Sequence, residues 1–237
     1  MLRLQRRSLA ADAAALIAAT IPRPYSEGLE HMPRTGPLLV VANHYQRPGL
    51  WIGYAGALIV DAVWQVRREE VRMMVVERVG WTRDGQPASL PGSRWIFRRI
   101  ATVWDMTAMP VGDDERQGRG AAVRRLVASV ASPPRGQGRV GVLFPEGEGG
   151  HGRSLSPALP GVGSLLLLLC AGGVRLLPVG IGEDDGRAIA RIGEPFVVAV
   201  ERRAGTRRDR EDDDRRAREE TMARIAALLP LATRSPS

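Results

Sequence analysis

Short apolar runs alternate along this chain with longer segments whose apolar residues recur three or four positions apart. The runs, each bounded by Gly, Pro or polar clusters, predict strands at Leu38–Ala42, Val71–Val76, 140–144, 175–181 and 196–200. The longer segments predict helices at 50–66, 117–130, 158–171 and 216–229, the last presenting Met222, Ile225, Leu228 and Leu229 on one face so that it docks on the core. A basic first helix is predicted at 4–19 and stopped by Pro22 and Pro24. Strands that alternate with helices predict an α/β fold: a single domain with a mixed, largely parallel sheet flanked by helices.

The organisation that follows has three parts. Residues 1–24 form an N-terminal amphipathic helix, residues 25–200 the α/β domain, and residues 201–237 a charged segment leading into the docking helix. The helix at the start packs on the domain or lies on an anionic membrane. Asp12 interrupts its apolar stretch, and the sequence IPRP follows where small residues would mark a cleavage site, so it does not read as a secretion signal. The run 201–220 holds eight acidic and eight basic residues and reads as a solvated loop entering a charged helix, not as a nucleic-acid arm.

Composition changes this picture in two respects. With 237 residues, 44% hydrophobic and 25% charged, the chain is apolar enough to fold and long enough for one sizeable core. All 34 basic residues are arginine, and the net charge of +8 favours phosphate-bearing partners without choosing among them. Interspersed acids, 5% aromatics and the lack of a nucleic-acid-binding motif argue against nucleic acid. The single cysteine, Cys170, rules out an intrachain disulfide and reads as a buried core thiol. The most apolar stretch, 161–182, is broken by Arg175, Pro178 and several glycines, so the expectation is a soluble or peripheral protein.

Three stretches carry candidate chemistry: ANHYQRPG (42–49), VGVLFPEGEGGHG (140–152) and VRLLPVGIG (174–182). Each is an apolar strand ending in a turn, and in a parallel α/β sheet ligands bind at the carboxyl ends of the strands. A histidine so placed, His44, is the side chain best tuned to take a proton near neutral pH. Glu146 in the second turn either binds a ligand hydroxyl or caps backbone groups. The three histidines lack acids at ligand spacing, so no metal is expected.

Taken with EGLEHMPRTGPLLVVANH before the first turn, FPEG at 144–147, LLPVGI at 176–181 and RIGEPF at 191–196, the chain resembles the phospholipid and glycerol-phosphate acyltransferase family, most like the 1-acylglycerol-3-phosphate acyltransferases. The matching pieces follow one another in family order across residues 27–196. The resemblance implies transfer of a fatty acyl group from an acyl-CoA or acyl-carrier-protein thioester to the hydroxyl of a glycerol-phosphate or lysophospholipid acceptor. It implies no cofactor beyond that co-substrate, a cytoplasmic site, and peripheral association with the inner face of the membrane. His44 would be the general base with Glu146 beside it, and Asn43, Arg47, Arg116, Arg119, Phe144, Pro145, Gly147, Glu148 and Arg153 would line the substrate site.

The chain departs from the family pattern at three places. In the family an aspartate five residues after the histidine orients the imidazole; that position is Gly49. Glu146, Glu148 and Asp105 are the candidate carboxylates to take its place. Asp113 stands where the family's phosphate-binding arginine aligns, with Arg116 and Arg119 a few residues late, and FPEG continues into Glu148 and glycines where a hydroxyl residue and an arginine are usual. Loss of the acid keeps open a second reading, a non-catalytic lipid-binding relative. Trp51, Trp64, Trp81, Trp95 and Trp104 fall between the first two motifs, either as a membrane-interface belt or as core packing.

Overall fold

In a computed structural model, residues 5–46, 52–76, 80–83, 86–89, 91–109, 116–131, 140–147, 155–199 and 205–229 are described. The chain runs α1 (Leu9–Ala19), β1 (Tyr25–Glu27), β2 (Leu38–Ala42), α2 (Ile52–Arg67), β3 (Val71–Val76), β4 (Gly80–Arg83), β5 (Gln86–Ser89), α3 (Ser93–Val103), β6 (Thr107–Met109), α4 (Arg116–Ala131), β7 (Val140–Leu143), α5 (Val162–Ala171), β8 (Arg175–Asp184), β9 (Arg187–Ile192) and α6 (Arg207–Ala227).

Seven strands form one sheet in the order β1-β9-β8-β2-β7-β3-β6, and β4 and β5 form a separate antiparallel hairpin. The five strands from β8 to β6 are mutually parallel, while β9 returns antiparallel to β8 and β1 lies parallel to β9. The fold is therefore mixed α/β with a largely parallel sheet flanked by helices. Strand β2 is central and buried along its whole length, which is why its five residues read LLVVA without a polar break. Leu38, Val40 and Ala42 face one core layer, shared with α1 and α2; Leu39 and Val41 face the other, shared with α4, α5 and α6.

Several predicted elements shift. Of the predicted strand 196–200, the described residues 196–199 do not form one: Phe196 makes a single antiparallel bridge to Leu176. The predicted strand 175–181 extends to Asp184 because β9 pairs with it as a hairpin. The last helix starts at Arg207, not 216, since Thr206 caps it in a reciprocal box with Asp209. Helix α1 begins at Leu9, behind Ser8, whose hydroxyl accepts from the Ala11 N–H. Among the described residues no helix is long and apolar enough to cross a membrane.

Candidate active site

Strands β2, β7 and β8 lie side by side in parallel, with Val41 opposite Leu143 and Ala42 opposite Val179. Their register brings the turns after β2 and β7 together at the carboxyl end of the sheet, against the overhanging second half of β8. Asn43, His44 and Tyr45 leave β2 at this point.

Asn43 is buried, and its amide is used on the neighbouring strand. Its Nδ2 donates to the Ile181 carbonyl (2.9 Å) and its Oδ1 accepts from the Ile181 N–H (2.6 Å). The side chain thus continues the β2–β8 ladder one step beyond the last paired main-chain residue. Tyr45, also buried, donates its hydroxyl to Glu183 on the β8 overhang (2.9 Å). Between these two anchors the His44 ring is half-buried and stands edge-on to Phe144, with ring centroids 5.4 Å apart and planes at 73°.

Glu146 joins the two turns. One carboxylate oxygen accepts from the His44 main-chain N–H (2.6 Å), and the other from the Ser156 N–H (2.8 Å). The group is only 5% exposed, and burial pushes its pKa up; the donors from His44 and Ser156 favour the charged form but do not cancel that rise. The FPEG turn itself closes through the Gly147 N–H to the Phe144 carbonyl (3.0 Å). Gly147 has a φ of +74°, a left-handed conformation that favours glycine, and a Cβ there would have to displace the exposed Leu159 side chain, whose Cδ1 lies 2.1 Å away. The Leu159 N–H in turn donates to the Pro145 carbonyl, seating the 155–161 segment on the turn.

A second carboxylate fixes that segment from behind. Asp214 on α6 accepts from the N–H groups of Gly161 (3.2 Å) and Ser164 (2.8 Å) at the start of α5 and from Arg218 Nε (2.8 Å), and Arg218 also donates to the Ala158 carbonyl. Burial raises the Asp214 pKa, but these donors outweigh it and hold the carboxyl below its usual range. Neither Tyr45, Ser156, Asp214 nor Arg218 stood out in the sequence, because each acts on main chain or on a partner far along the chain.

The site residues expected from sequence fall into two groups. Asn43, His44, Phe144, Pro145, Glu146 and Gly147 come together at the carboxyl ends of β2 and β7. Arg47, Glu148 and Arg153 lie outside the described residues, as do Gly49 and Trp51; Trp81 falls in β4, and Arg116 and Arg119 in the opening turns of α4, all three with their side chains outside the described part. Asp105 is not available as a substitute acid. It sits just before β6, at the amino end of the sheet, tied to Arg72 at the start of β3 and to Arg6. Among the described residues no group of three or more His, Cys, Asp or Glu is placed to hold a metal ion.

The fold is similar to that of the crystal structure of PlsC, the 1-acyl-sn-glycerophosphate (LPA) acyltransferase of Thermotoga maritima, with a TM-score of 0.51 and 17% identity over 94% of this chain and 80% of that one. No protein-family model and no curated protein matches the sequence.

Proposed function

We propose that this protein is an O-acyltransferase that moves a fatty acyl group from a thioester of coenzyme A or acyl-carrier protein to the hydroxyl of a glycerol-phosphate or lysophospholipid acceptor. The observation that carries the reading is the position of His44: an imidazole at the carboxyl end of the central parallel strand, packed on Phe144 and braced by Glu146 through its main chain. The likeness in fold to an LPA acyltransferase supports it.

In this reading the acceptor hydroxyl attacks the thioester carbonyl as its proton passes to the His44 ring. The tetrahedral oxyanion collapses, the carbon–sulfur bond breaks, and the imidazolium returns the proton to the departing thiolate. Donors near the FPEG turn stabilise the oxyanion. The lipid acceptor and product place the protein at a membrane surface, on its cytoplasmic side.

A second reading, a lipid-binding protein without catalysis, is favoured by two observations: Glu146 engages the main-chain N–H of His44, and Gly49 stands where the family has its orienting aspartate. The two readings separate when acyl transfer from labelled acyl thioesters is followed on glycerol phosphate and a panel of lysophospholipids. His44→Ala is expected to lower kcat by about 10²–10⁴-fold, the range for losing a general base. Equal, background-level rates for wild type and variant on every acceptor would leave only the binding reading. A gain in rate on Gly49→Asp would mean that the site lacks an orienting acid.

A further inference from the structure

Segment 155–161, which leads into α5, has no helix or strand of its own, so its position is set by what its main chain touches. Four of its main-chain groups are engaged, from two sides. The Ser156 N–H donates to Glu146 (2.8 Å) and the Leu159 N–H to the Pro145 carbonyl (2.9 Å), both on the FPEG turn. The Ala158 carbonyl accepts from Arg218 (3.0 Å) and the Gly161 N–H donates to Asp214 (3.2 Å), both on α6. The segment is thus a strap between helix and turn. One link carries it on to the site, because the other Glu146 oxygen takes the His44 N–H at 2.6 Å.

The α6 side of this strap is not an ordinary helix-surface pair. In Arg207–Glu211, Arg215–Asp212, Arg216–Asp213 and Arg224–Glu220 on the same helix, each arginine is at least 43% exposed, and such pairs contribute little. The Arg218 side chain is 21% exposed and that of Asp214 10%. Arg218 reaches from Asp214, through Nε, to the carbonyl of buried Ala158. A guanidinium carries its donors in a fixed plane and so holds two partners at a set spacing. Without it the Ala158 carbonyl loses this donor, and the strap must shift or admit water to replace it.

We infer that Arg218 is a positioning residue for His44: through the strap and Glu146 it sets where the His44 main chain, and with it the imidazole, stands at the end of β2. The inference rests on the proposed function in one respect, since this placement governs a rate only if His44 is the base. Misplacing a catalytic group by about 1 Å costs about 10²-fold in rate. Arg218 acts on the strap from the α6 side, so its removal is expected to lower kcat and leave KM for donor and acceptor little changed.

The three histidines of the chain allow a test that does not depend on acyl transfer. Labelling with nitrogen-15 histidine gives one main-chain amide signal for each in a magnetic resonance spectrum, and the signal lost in His44→Gln is that of His44. Arg218→Met keeps the stem and removes the donors. It is expected to move the His44 signal, as Glu146→Gln does by direct contact, and to lower kcat by about tenfold, a part of the cost of misplacing the base. Arg215→Met, at an exposed pair of the same helix, should do neither. Arg218→Gln, too short to span both partners, replaces the Met variant if thermal unfolding shows that variant not to fold. An unmoved His44 signal in a folded Arg218 variant, an equal movement in Arg215→Met, or an unchanged kcat where wild type is active would overturn the inference. A wild type inactive on every acceptor would instead remove the proposed function, and the His44 signal would then decide the inference by itself.

Discussion

Asn43 completes a pair of backbone hydrogen bonds that no strand residue supplies. Because Ile181 is buried, removing the amide leaves both its N–H and its C=O without their partners, and each orphaned group costs about 1–3 kcal/mol. Asn43→Ala is therefore expected to lower unfolding stability by about 2 kcal/mol or more, measured by urea titration at neutral pH. Glu146 makes a prediction of opposite character. Its pKa is raised in the folded protein, so the folded state holds the proton more tightly, and the associated stability is fully present below the unfolded pKa of about 4.3 and lost as pH rises through the folded value. Glu146→Gln removes this dependence. The stability of the variant relative to wild type should accordingly increase as pH is raised from acid to neutral, in parallel denaturant titrations. The sequence displayed Asn43, His44 and Glu146 as a chemical cluster, and the structure brings them together. What it did not display was the use made of each polar atom, because the partner of Asn43 stands on β8 and those of Glu146 in the turn after β2 and at Ser156.

At the scale of elements, the junction of α5 and α6 determines how the FPEG turn is held. Gly163 lets the two helices touch: a Cβ there would lie 1.9 Å from the Asp214 carbonyl oxygen. Asp214 caps α5 across that contact, and with Arg218 it secures the segment that carries Ser156 to Glu146. Asp214→Ala should cost about 1–2 kcal/mol, the usual range for losing a cap. That loss has its own pH signature. The Asp214 pKa is lowered on folding, so its stabilisation is present above the unfolded value of about 3.9 and disappears as pH falls through the folded one. The difference between wild type and Asp214→Ala should thus shrink on acidification, as read by denaturant titration at successive pH values. The first half of α6 illustrates what periodicity cannot display. Residues 207–216 have no apolar stripe, yet they are helical because the Thr206–Asp209 box starts them and pairs such as Arg207–Glu211, Arg215–Asp212 and Arg218–Asp214 line the turns. Helix α3 escaped notice for a related reason, since two of its large apolar residues, Trp95 and Ile96, point outward.

For the whole molecule, the parallel sheet was legible because β2, β3 and β7 are short apolar runs separated by helical segments. The sheet's outer edge was not. β1 and β6 are three residues each, too short to leave a pattern, and β9 reads RAIARI, which only the hairpin with β8 makes a strand. The same limit applied to the site: sequence could place a histidine after a strand, but the order in which strands lie side by side decided which turns meet around it.

That order has a consequence for how the chain becomes functional. The strand that presents His44 is synthesised well before its neighbours, which are distant along the chain: Leu38 aligns with Val140 on one side and Arg175 on the other. Closing such loops carries an entropic cost that contacts repay only late, so folds dominated by long-range pairing form slowly. During translation β2 therefore waits, apolar on both faces, while more than a hundred residues are added. In this interval it is open to mispairing and a natural client for a chaperone. The centrality that shields His44 in the finished protein makes its strand the one most exposed in the growing chain.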